Sequence, residues 1–156
     1  MTSTEVIIER AIFIAASPKT VFAFLVDPAL MTRWIGDSVT LDPRAGGLLR
    51  VEFSRGDVAR GQYVEIVPDR RVAFTWGWEP DHEGQNPNLT ILPPGASSVE
   101  IDLQPKKGGT LLHLRHRRVP PEIAQRHGER WSHYLTRLAA AAFEREQEHE
   151  TARGLN

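Results

Sequence analysis

The strongest constraint on this chain is one long amphipathic segment near its C-terminal end. After Pro120-Pro121, the residues Ile123, His127, Trp131, Tyr134, Leu135, Leu138, Ala141 and Ala142 recur at spacings of three, four and seven, the pattern of a helix buried along one face. The segment runs to about Glu150, and at about 1.5 Å per residue such a helix exceeds ~40 Å in length. No strand elsewhere in the chain is that long, so several shorter elements must share the work of covering its apolar stripe. Residues 144–150 are charged all round, and 146–156 are expected to project into water or fray.

The upstream segments supply that cover. Residues 5–15 are rich in β-branched and aromatic types and read as a first strand. Ser17-Pro18 then offers an N-cap followed by proline at the first helical position, and Val21, Phe22 and Leu25 continue at helical spacing. Asp27-Pro28 breaks this helix, and residues 29–34 predict a second short one ended by Gly36. From 39 to 118 the pattern changes to strands at 39–41, 48–53, 61–67, 71–78, 98–103 and 110–117, with turns short enough for an antiparallel meander. The exception is 79–96, which holds four prolines and the apolar patch Leu89-Thr90-Ile91-Leu92, and is expected to form a flap. No internal repeat or second domain is visible, and residues 1–156 are expected to form a single domain with its core at about 5–145.

Composition narrows the chemistry. Nineteen Lys and Arg against 20 Asp and Glu give a formal net charge of −1, which argues against a broad surface for nucleic acid or anionic lipid. The absence of cysteine removes disulfides, thiolate nucleophiles and Cys-based metal sites, and fits a cytoplasmic location. The longest apolar runs, at 11–16, 21–26 and 138–143, are six residues each, too short for membrane insertion. Alternation identifies inward faces: Val72, Phe74, Trp76 and Trp78 share one parity of 71–78, and Thr110, Leu112, Leu114 and His116 share one parity of the last strand. The expected fold is therefore α+β, a curved antiparallel sheet in β-α-α-β6-α order wrapped around the long C-terminal helix.

The order of elements, Ser17-Pro18 with Val21-Phe22, Trp34, Phe74-Thr75-Trp76-Gly77-Trp78, residues 95–101, residues 110–116 and residues 127–135 together resemble the SRPBCC (START-like, helix-grip) superfamily. Within it, the chain is most similar to prokaryotic proteins related to the C-terminal domain of the heat-shock-protein-90 ATPase activator. The resemblance implies a hydrophobic cavity between sheet and long helix, opened by the helical pair and neighbouring loops. Its expected walls are Phe22, Leu25, Trp34, Phe53, Phe74, Trp76, Trp78, Leu112, Leu114, Trp131, Tyr134 and Leu138, each of which also suits an ordinary core. His116 is expected inside, as a ligand contact or as a residue satisfied by its neighbours, and His127 approaches the same mouth from the helix start.

Three functions compete on this reading. The first is binding of a hydrophobic or aromatic small molecule, with near-neutral net charge favouring an uncharged or weakly polar one. The second is an interaction module that is chaperone-associated or related to stress response. The third is a cyclase- or hydratase-like enzyme, in which His116 would be the catalytic base with Tyr63 or Tyr134 as hydroxyl partner; Tyr63 competes with Val64 and Ile66 for the inward face. No cofactor is expected and no metal site, since the adjacent Asp81-His82-Glu83 lacks a second cluster to converge with. Monomer and homodimer are both compatible with the sheet edges.

Overall fold

The computed structural model describes residues 5–79 and 92–154. Its elements are β1 (Val6–Ile14), α1 (Pro18–Val26), α2 (Pro28–Met31), β2 (Ser38–Leu41), β3 (Leu48–Glu52), β4 (Val58–Val67), β5 (Arg71–Trp78), β6 (Ser97–Lys106), β7 (Gly109–Val119) and α3 (Pro121–Gly154). All seven strands join one antiparallel sheet in the order β1-β7-β6-β5-β4-β3-β2. The chain thus runs as a meander from β2 to β7, and β7 returns beside β1. The inner face of this curved sheet and the α1–α2 pair enclose the apolar stripe of α3, as the alternation of β5 and β7 requires.

On the outer face of the sheet, arginines meet carboxylates. Arg71 pairs with Glu65, Glu100 and Asp102, Arg115 with Glu9 and Asp102, and Arg117 with Glu100. Arg115 and Arg117 of β7 are therefore matched by carboxylates from β1 and β6.

Capping explains the helical pair. Ser17 accepts from the Thr20 amide and Pro18 opens α1, whereas Asp27 closes α1 and caps α2 by accepting from the amides of Ala29 and Leu30 at 2.9 and 3.3 Å. Two carbonyls of the last turn of α1 have no partner within the helix. Trp34 Nε1 donates to the carbonyl of Phe24 at 3.0 Å and the Tyr63 hydroxyl donates to that of Leu25 at 2.9 Å. The pair is thereby fastened to the interior of the molecule.

Two features go beyond the sequence reading. Tyr63 points inward and is buried, because a bulge between Tyr63 and Glu65 inserts Val64 as an extra residue, which is 57% exposed. Helix α3 continues to Gly154, so the frayed tail expected from residue 146 does not begin there. The Glu146 carboxylate accepts from the Ser17 amide at 2.9 Å, at the start of α1 where free N–H groups favour an anion, and this bond holds its carboxyl below the usual range. Of the expected flap at 79–96, residues 80–91 lie outside the described residues; at its ends the Trp78 amide donates to the Leu92 carbonyl and Leu92 is buried.

Candidate functional site

The site is built where β5 faces α3. In β5 every second side chain is a large inward ring, so Phe74, Trp76 and Trp78 stand in a row, with Trp76 6.1 Å from Phe74 and 5.9 Å from Trp78. On α3 the spacing of His127, Arg130, Trp131 and Tyr134 sets those side chains on one face. The Trp131 ring meets Trp76 at 5.5 Å, while Phe53, just past β3, meets Trp78 at 5.8 Å and Tyr134 at 6.0 Å. Between these walls lie two small voids separated by Trp76. The outer is bounded by Ile35, Phe53, Trp76, Trp78, His127, Arg130, Trp131 and Tyr134; the inner by residues that include Leu25, Trp34, Phe74, Trp76 and Trp131. Each holds about 10 Å³, the room of one water molecule. A ligand larger than water therefore enters either void only if side chains move. Phe53 and Tyr134 border the outer void and are only half-buried.

Hydrogen bonding fixes the two imidazoles. Trp131 Nε1 donates to His116 Nδ1 at 3.0 Å, which leaves the proton on Nε2 facing Ser97 Oγ at 2.7 Å, and Ser97 in turn donates to the Trp76 carbonyl at 2.6 Å. His127 accepts from Trp78 Nε1 at 3.2 Å through Nε2 and faces the Ile123 carbonyl through Nδ1 at 3.1 Å. Burial lowers His116 to about 3 and His127 to about 4, so both rings are neutral at pH 7. With both nitrogens engaged, His116 has no lone pair to take a proton from a substrate. Burial also pushes the Tyr63 phenol well above its ordinary value, and its hydroxyl is committed to α1.

Three of the four tryptophan N–H groups find acceptors: Trp34, Trp78 and Trp131. Trp76 Nε1 does not, and among the described residues it is the buried side-chain polar atom without a partner. The ring itself is 4% exposed and borders both voids. Leaving such a donor unpaired costs about 1–3 kcal/mol.

Of the residues expected in the walls, Phe53, Trp76, Trp78, His127, Trp131 and Tyr134 border the outer void, and Leu25, Trp34 and Phe74 the inner. His116 lies behind Trp131, bonded to it. Leu112, Leu114 and Leu138 are fully buried core that borders neither void, and Phe22 is half-buried on α1 with Phe24 taking the inward position. Their parity or helical spacing marks them as inward, but inward residues nearer the centre of the sheet or beyond the voids simply pack. Arg130 and Ile35 were absent from that reading, although Arg130 stands three residues after His127 and four before Tyr134 on the same helical face. Asp81-His82-Glu83 lies outside the described residues, and among those described no three metal-ligating side chains converge.

The model of the family described as activator of Hsp90 ATPase homolog 1-like protein matches residues 15–142. The chain belongs to this family. An AHSA1-like protein from Rhizobium etli, solved by NMR, is 36% identical, with a TM-score of 0.64 over 88% of this chain and 82% of that one. A structure from Chromobacterium violaceum shares the fold at 23% identity and a TM-score of 0.70, covering 88% of this chain and 96% of that one. The Aha1 dimer from Colwellia psychrerythraea is likewise similar in fold, at 17% identity, a TM-score of 0.71 and coverage of 88% and 96%. No curated protein matches. These structures share the fold of a curved sheet and long C-terminal helix, and among the described residues no helix is long and apolar enough to cross a membrane.

Proposed function

We propose that this AHSA1-like chain binds a small hydrophobic or aromatic molecule between sheet and α3, in the cytoplasm, with Phe53 and Tyr134 swinging outward to admit it. The observation that carries the proposal is the unpartnered N–H of Trp76, buried between two voids in a wall of rings. A lone water is a poor partner for it, because the neighbouring His127 nitrogens are already engaged and a buried water needs two to four polar contacts of its own. A ligand with an acceptor on a flat apolar body satisfies the N–H and replaces ring-on-ring contacts with similar ones. A thermal-shift screen with lipids, polyketides and flavonoids, followed by native mass spectrometry, tests this. A stabilising compound whose effect Trp76→Ala weakens is the expected result. An interior that excludes every compound in the screen overturns the proposal.

A chaperone-associated role is the second reading, favoured by the family's description as Hsp90 ATPase activator-like. Retention of a bacterial chaperone in a pull-down at physiological salt is its expected sign, and absence of any retention counts against it. An enzymatic role through His116 has lost its geometric basis, since both ring nitrogens are bonded within the protein.

A further inference from the structure

Among the described residues, Arg130 is the one charged group in the wall of the outer void, and binding of an uncharged ligand leaves it without a task. It is half-buried on α3, with its guanidinium carbon 6.0 Å from the centre of the Trp78 ring. On the outer face of the sheet the arginines meet carboxylates, as Arg71 and Arg117 do. Among the described residues no carboxylate pairs with Arg130 and no acceptor is hydrogen-bonded to it. His127 is no counter-ion, being neutral and fully engaged, and the positive charges of Arg130 and Arg126 favour that neutral form. Among the described residues, the mouth of the apolar slot thus carries positive charge with no carboxylate against it, beside a ring surface. The formal net charge of −1 conceals this, because it averages the mouth with the paired outer face.

We infer that the ligand of this slot is an amphipathic monoacid, seated with its aromatic or aliphatic body against Trp76 and Trp78 and its carboxylate on Arg130. The inference rests on the slot being a ligand site. The planar guanidinium matches a carboxylate with two parallel hydrogen bonds and equal opposite charge, whereas a phosphate dianion would bring a second negative charge that one arginine does not neutralise in an apolar slot. Trp78 lies 5.9 Å from Trp76 and 6.0 Å from Arg130, so the inner donor and the outer cation flank a single ring. That spacing suits a compact body of one or two rings or a medium alkyl chain. An acceptor on the body would meet the Trp76 N–H.

Calorimetric titration of the full chain at pH 7.5 with three matched pairs tests this: 2-naphthoic, 4-phenylbutyric and decanoic acids, each against its methyl ester. The acid of at least one pair should bind on the order of tenfold more tightly than its ester, the return for one charge-assisted contact. Raised salt should shrink that ratio, Arg130→Gln should bring it to about one, and Arg130→Lys should keep part of it. Esters that bind as tightly as their acids, or a ratio unchanged in Arg130→Gln, overturn the acid and leave the slot standing. Failure of all six compounds to bind overturns both the acid and the reading of the slot.

Discussion

Trp76 and Trp131 are neighbouring indoles with opposite hydrogen-bonding states, and their truncation should differ accordingly. Trp131→Phe strips the donor from His116 Nδ1 deep in the interior, which should cost about 2 kcal/mol beyond the loss of ring volume. Trp76→Phe removes no hydrogen bond and relieves an unpartnered donor, so its volume loss should be offset by about 1 kcal/mol or more. Urea unfolding of the two variants measures the difference, and equal destabilisation would contradict the bonding assigned here. Ser97→Ala should resemble Trp131→Phe, since it leaves His116 Nε2–H unmatched and removes the hydroxyl bond to the Trp76 carbonyl. The inward direction of His116 is legible from the alternation Leu112, Leu114, His116. Its partners are not, because Ser97 and Trp131 come from other elements, and only the folded sheet decides which side chains meet.

The helical pair shows how far local signals reach. Ser17-Pro18 and Asp27-Pro28 announce two helix starts, and both act as caps. Asp27→Ala should therefore cost about 1 kcal/mol and loosen α2, whose first amides the carboxylate caps, while α1 keeps the backbone N–H of residue 27 on the Ala23 carbonyl. Nothing local reveals that Trp34 and Tyr63 close the far end of α1. Tyr63→Phe should leave the Leu25 carbonyl without its partner and cost about 1–2 kcal/mol, and amide exchange in α1 should accelerate. An unchanged exchange rate in α1 would refute that anchoring. Strict alternation along 61–67 sets Val64 and Ile66 against Tyr63, and the bulge at Val64 resolves the conflict by placing Tyr63 and Ile66 on the same side. A bulge is set by tertiary fit and leaves no mark in the hydrophobic pattern, just as the charged end of α3 gives no sign that Glu146 will reach the start of α1.

For the whole molecule, the two buried imidazoles govern the response to acid. Both folded-state values lie below the ordinary 6.5, so between about 6.5 and 4 the unfolded chain binds protons that the folded chain refuses. Their contribution is intact above pH 6.5 and is lost as pH falls, with a slope approaching two protons, about 2.7 kcal/mol per pH unit. Urea midpoints between pH 7.5 and 5 isolate this effect, because the lowered carboxyls of Glu79, Glu100 and Glu146 titrate only at more acid pH. A flat profile over that range would show the histidines to be solvated. At this scale the layers were legible: a stripe over 40 Å long demanded a sheet to cover it, and the alternation of β5 and β7 supplied one. How densely the rings fill the space was not, since composition fixes their volume and only packing fixes the gaps.

The contact of Trp76 with Trp78 and Trp131 has an optical consequence. Trp76 lies within 6 Å of both Trp78 and Trp131, close enough for excitation to pass readily between the rings, and those two neighbours are hydrogen-bonded to imidazoles. Light absorbed by any one of them is shared, so a molecule that stacks on Trp76 alone dims or shifts the emission of the whole cluster. The protein therefore carries its own built-in lamp at the slot, and occupancy can be followed with no label attached.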